Sequence, residues 1–152
     1  MTTTSETRGT DAAAMASARR PQPLPSRDSL PFWEGAERGE LLGQRCVECK
    51  RFRHPPRPMC PACRSMESGW VRMSGRGTIY SFVVVHPPVM PAFQDQLPMP
   101  VVLVELEENP ELRLVGNVRE CAREQIRIGM PVEVVFEKVA EDVALPLWRP
   151  RR

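Results

Sequence analysis

What this chain of 152 residues holds little of already narrows its possible work. It has two histidines and one tyrosine, and no nucleophile stands beside a base in the sequence. A self-contained acid-base or acyl-transfer site therefore has few parts to draw on. No stretch approaches the ~20 apolar residues that a membrane-spanning helix needs. Residues 1–20 carry Glu6 and Asp11 and lack a continuous apolar core, which argues against a secretory signal, and Met15 is a second candidate start. Charge of one sign is missing too: 21 Lys and Arg against 19 Asp and Glu leave +2, whereas a dedicated nucleic-acid binder shows a strongly basic face. An even cysteine set is also absent. Five cysteines, one of them left over, suit the reducing cytoplasm.

Four of those cysteines organise the rest. Cys46-Val-Glu-Cys49 and Cys60-Pro-Ala-Cys63 are two Cys-x-x-Cys pairs flanking a basic, proline-rich segment from Lys50 to Pro58. A two-residue spacer lets both thiolates of a pair converge on one ion, so two such turns supply a closed tetrahedral sulfur shell. Zinc is the expected occupant. A shell of four sulfurs leaves no open position for water, so the metal is expected to be structural, contributing on the order of 10 kcal/mol of folding energy. His54 reads as a solvated loop histidine, and Cys121 as an inert thiol.

In chain order, residues 1–27 are rich in Thr, Ser, Ala, Arg and Pro and read as a disordered tail. A short helix over 28–40 starts at Asp28 or Ser29, ends at Gly39, and carries Phe32, Trp33 and Ala36 on one face. A cysteine-bearing ribbon occupies 41–68 and a barrel 69–140. In the barrel the apolar period is two, with strands at Trp70–Met73, Thr78–His86, Val101–Glu107, Leu112–Val118 and Val132–Phe136. Gly75-Arg76-Gly77 marks a corner, and Ile126 and Ile128 are expected to plug the base. The fold class is mainly β: a helix, a ribbon, and a five-stranded barrel of the OB type, which leaves no open edges. Pro87 to Pro100 is a long proline-stiffened loop bearing Met90, Phe93 and Met99, where binding is expected. The tail over 141–152, with Trp148, is expected to lie back over the barrel or on a partner.

The motifs Phe32-Trp33-Glu34-Gly35, Gln44-Arg45-Cys46, Pro55-Pro56-Arg57-Pro58, Gly75-Arg76-Gly77-Thr78 and Ile128-Gly129-Met130-Pro131 occur in order between Leu30 and Pro150. Together they resemble the OB-fold proteins with an N-terminal rubredoxin-like zinc ribbon, long classed as a domain of unknown function. Members of that family accompany thiolases, lipid-transfer-protein-like aldolases of steroid side-chain degradation, and acyltransferase complexes. The resemblance implies a non-catalytic subunit that stabilises a thiolase-like or lipid-transfer-protein-like partner and helps shape its acyl-CoA channel. The four cysteines carry over as the zinc ligands, and no residue carries over as a catalyst. Phe32, Trp33, Met90, Phe93 and Trp148 are the candidate partner contacts, and Arg76 and His86 the candidate ligand contacts. The rival expectation is a single-stranded nucleic-acid module, since ribbons and OB folds serve that role elsewhere. Glu105, Glu107, Glu108 and Glu111 on the barrel strands weigh against it.

Overall fold

Strands fill most of the chain from Arg76 onward, and they build a sheet of the expected five strands with one member exchanged. The computed structural model describes residues 21–151. These form one α-helix, α1 (Leu30–Glu37), and the strands β1 (Leu42–Cys46), β2 (Phe52–Arg53), β3 (Ser68–Arg72), β4 (Arg76–Val85), β5 (Met99–Leu106), β6 (Asn109–Asn117), β7 (Pro131–Ala140) and β8 (Val143–Pro150). Two antiparallel sheets result, a three-stranded β2-β1-β3 and a five-stranded β6-β5-β4-β7-β8.

Alternation decides which side chains fill the larger sheet. Val102, Val104 and Leu106 on β5 and Leu112 and Leu114 on β6 point inward with Ile79, Val132 and Trp148, all buried. The sheet curls until its two edge strands approach, where Val118 bridges Trp148 in parallel and the Arg119 amide donates to the Trp148 carbonyl at 2.7 Å. That closure gives the expected OB-type barrel. The corner before β4 needs Gly75, whose φ is +75° and whose absent Cβ would lie 2.4 Å from Val134 Cγ1. The helix begins with Pro31 in its first turn and buries Phe32, Gly35 and Ala36 against β1 and β8. The Ser29 hydroxyl bonds Ser26 rather than capping it.

Three expectations change. The Trp70 strand pairs in the smaller sheet and not in the barrel sheet, because β3 lies along its whole length against β1, from Leu42 opposite Arg72 to Cys46 opposite Ser68. With only the two-residue β2 on its other side, β1 would otherwise present an open edge. The C-terminal stretch is no tail: β8 forms a hairpin with β7 and supplies the fifth barrel strand. Its prolines, Pro146 and Pro150, are tolerated because β8 lies at the sheet's edge. Finally, Ile126 plugs the barrel at 5% exposure while Ile128 is 67% exposed, since the turn through Gly129 brings Met130 onto the core instead. The expected disorder of the first 27 residues lies outside the described residues up to position 20; residues 21–26 are without regular structure. Among the described residues no helix is long and apolar enough to cross a membrane.

Candidate functional site: a metal centre and an adjoining groove

The two cysteine pairs sit on copies of one turn. The Cys46 amide donates to the Arg51 carbonyl and the Cys60 amide to the Ser65 carbonyl, each at 2.9 Å and each spanning five residues. The residue after each pair, Lys50 and Arg64, has φ of +62°. The four Sγ atoms lie within 4.8 Å of one another, with Cys46 to Cys63 and Cys49 to Cys60 both at 3.5 Å. A tetrahedron with metal–sulfur bonds of about 2.3 Å has edges of about 3.8 Å, so the set fits zinc.

Electrostatics point the same way. The Cys63 amide lowers Cys60 to about 6, and the Cys49 amide lowers Cys46. Cys49, although the Arg51 amide favours its thiolate, is pushed up to about 11 by burial and by the neighbouring sulfurs. Four thiolates this close repel one another, and a cation is what allows all four to ionise together.

His54 stands apart from the cluster. It is not a solvated loop residue: its ring packs 5.4 Å from that of Phe32, and burial lowers its pKa to about 4, so it is neutral. It stands at one end of a groove bounded by α1, β6 and β8, with a volume of about 420 Å³. Phe32, Trp33, Met99, Val115 and Trp148 make the wall largely apolar. Gly116 lets β6 lie close against Trp148, because a Cβ there would lie 2.9 Å from both Cδ1 and Nε1 of that ring. The polar groups on the wall are mostly committed: Ser29 to Ser26, and Asn117 Nδ2 to the Pro100 carbonyl at 2.9 Å. Trp148 Nε1 is buried without a hydrogen-bond partner among the described residues. Such a wall can hold an apolar chain but offers no nucleophile held against a base.

The structure distributes the expected contact residues unevenly. Trp33 lines the groove edge-on to Phe32, with centroids 5.1 Å apart, while Phe32 is only 6% exposed and belongs to the core. Trp148 is 1% exposed, so the expectation of a partner anchor is corrected: as a β8 residue it fills the barrel. Met90 is 58% exposed and Phe93 half-buried around a 3-10 turn at Pro91–Gln96, and only Met99 from this loop reaches the groove. Arg76 lies at the barrel corner, 2.7 Å from Glu107, whose carboxyl it holds below the usual range. His86 is exposed at the end of β4, and Cys121 is half-buried. Neither Arg76 nor His86 lines the groove. Sequence reasoning missed Val115 and Gly116, although a glycine inside a regular strand signals a close approach.

Residues 33–67 match the family described as ChsH2, rubredoxin-like zinc ribbon domain, and residues 70–137 that described as ChsH2, C-terminal OB-fold domain. A probable enoyl-CoA hydratase alpha subunit of Thermomonospora curvata is 42% identical over 133 residues, 88% of this chain and 40% of that protein. The chain thus spans well under half of that relative's length. A DUF35 domain-containing scaffold protein of Methanocaldococcus jannaschii is 40% identical over 108 residues, covering 70% of this chain and 74% of the relative. Among solved structures, a chain of the Ltp2-ChsH2(DUF35) aldolase superposes with a TM-score of 0.77 at 41% identity, covering 85% of this chain and 98% of that one. The ribbon's four cysteines are therefore a structural zinc site.

Proposed function

The chain belongs to the ChsH2 family, in which a rubredoxin-like zinc ribbon is joined to an OB-fold domain, and on that premise we propose that it is an accessory subunit of an acyl-CoA-processing enzyme. Its partner is a thiolase-like or lipid-transfer-protein-like chain that supplies the nucleophile. This subunit stabilises that partner and walls part of the channel holding the acyl-CoA thioester. The groove carries the reading: its volume of about 420 Å³ falls in the roughly 300–1,000 Å³ range of small-molecule sites, and its wall is apolar with few free polar groups. The names of the relatives, a hydratase subunit, a scaffold protein and an aldolase, support association with an enzyme. Trp33 beside the groove, with Met90 and Phe93 on the neighbouring loop, forms the contact surface. Thiolates held for zinc suit the reducing cytoplasm as the place of work.

The nucleic-acid alternative fares worse. Arg76, Arg113, Arg119 and Arg149 on the barrel lie 2.7–2.8 Å from Glu107, Glu105, Glu137 and Glu133, so a nucleic-acid backbone lying on the barrel strands would have to displace carboxylates there.

The test is isolation of the tagged chain from its own cells at moderate salt, with mass spectrometry of whatever accompanies it. An acyl-CoA enzyme chain in fixed ratio is expected, and Trp33→Ala should release it while zinc content stays unchanged. Nucleic acid alone as companion would overturn the function. A partner retained by both Trp33→Ala and a deletion in the Met90–Phe93 loop would overturn the interface.

A further inference from the structure

A second cavity, of about 390 Å³, lies beyond His54 and Pro55, which line both it and the apolar groove. Arg51, Arg53 and Arg57 from the ribbon and Glu111 from β6 contribute to its wall. Arg53 is the residue that calls for an explanation. Its position in β2, opposite the buried Gln44 of β1, turns it inward to 5% exposure, and Nε, Nη1 and Nη2 all lack a hydrogen-bond partner among the described residues. A guanidinium keeps its charge and offers five donors, so leaving it buried and unpaired is strongly unfavourable. The surrounding segment is otherwise well satisfied: Gln44 Oε1 accepts from the Arg57 amide at 2.9 Å, and Gln44 Nε2 donates to Ser68 Oγ at 3.2 Å.

The charge around the cavity says what is missing. Three arginines stand on the wall against Glu111 and the zinc-bound thiolate of Cys60, and the neutral His54 adds no charge while keeping a ring N–H. Glu111 is exposed and makes no ion pair with Arg53. From the unpartnered guanidinium we propose that this cavity binds a phosphoryl oxyanion, held by Arg53 through its planar fork, with Arg51 and Arg57 at the rim. A phosphoryl group offers three acceptor oxygens to the three unpartnered guanidinium nitrogens, where a carboxylate offers two. Free phosphate and the phosphates of a nucleotide-bearing ligand share this chemistry. The site lies within this one chain and does not depend on the identity of any enzyme partner.

The experiment is calorimetric titration of the full zinc-loaded chain with inorganic phosphate and with coenzyme A, using chloride at matched ionic strength as the control. Saturable binding is expected, weakened at least tenfold by Arg53→Met. Without ligand that variant should melt no lower than the parent, because it removes an unpaired buried charge. Coenzyme A binding at least tenfold tighter than phosphate identifies a nucleotide-bearing ligand; similar affinities identify a simple phosphate site. The proposal is overturned if neither probe saturates or if Arg53→Met binds as the parent does. It is equally overturned if Arg53→Met and Glu111→Gln destabilise the ligand-free chain alike, which would mean that Arg53 pairs with Glu111.

Discussion

Trp148→Ala distinguishes a residue that fills the barrel from one that waits for a partner. An indole buries on the order of 250 Å², and at about 25 cal/mol per Å² its full burial contributes at most about 6 kcal/mol. Two corrections lower the cost of truncation. Alanine keeps part of the contact, and the buried Nε1 has no acceptor among the described residues, so its removal returns about 1–3 kcal/mol of desolvation. The expected loss is about 3–4 kcal/mol, at the lower end of large-to-alanine substitutions in cores. For an ordered region of this size that lowers the melting temperature by about 10–15 °C. Trp148→Phe keeps a ring and discards the unpaired donor, and should cost about 1 kcal/mol or less. The assay is urea unfolding of the isolated zinc-loaded chain followed by far-UV circular dichroism, with the midpoint shifted and the slope unchanged. An alanine variant that unfolds at the parent's midpoint would refute the reasoning, and loss of partner binding without loss of stability would restore Trp148 as an anchor.

Other perturbations follow from the same geometry. Removing zinc, by chelator or by Cys60→Ser, should unfold the β2-β1-β3 sheet at a cost on the order of 10 kcal/mol, read as zinc content and as lost amide protection in β1 and β3. His54 titrates at about 4 in the folded chain against 6.5 unfolded, so between those values the unfolded state binds more protons. The contribution of its neutral ring is complete above pH 6.5 and is lost as pH falls towards 4, amounting to about 3 kcal/mol at most. Unfolding midpoints across that window should fall less steeply for His54→Gln than for the parent, and parallel curves would count against the assignment. Gly116→Val sets a side chain where a Cβ alone would lie 2.9 Å from the Trp148 ring, and should cost about 1–3 kcal/mol in urea unfolding.

How far these features could be read from residue order depends on how local their causes are. The metal ligands were legible because each Cys-x-x-Cys turn is complete within five residues and needs nothing from the rest of the chain. The strands β4 to β7 were legible because one buried face forces a period of two. β8 was obscured by Pro146 and Pro150 and by apolar residues on both faces, which imitate a loose tail. β3 has an ordinary strand pattern, but its partner is set by pairing across more than twenty residues, and periodicity does not name a partner. The groove was illegible for the same reason, since Trp33, Met99, Val115 and Trp148 meet only after the barrel closes. Arg53 sits in a run of basic residues that reads as a solvated face, and only its register opposite Gln44 takes it out of water.

The ribbon and the groove are energetically one unit, and this explains why a structural metal stands beside the apolar groove. β2 is two residues long and could not hold a fixed position through its own pairing with β1. The metal closes the loop on both sides of it, through Cys49 before and Cys60 after. Arg53 and His54 are thereby fixed between the helix and β6, at the join of an apolar cavity and a basic one. Phe32 completes the join, because it packs on His54 from the ribbon side and belongs to the barrel core. Loss of zinc should consequently erase both cavities while leaving β4, β5 and β7 paired. The order of events on chelation follows: amide exchange in β1 and β3 and the environment of Trp33 change together, and exchange in β5 changes only later. Simultaneous exposure of β5 would mean that the barrel depends on the metal as fully as the ribbon does.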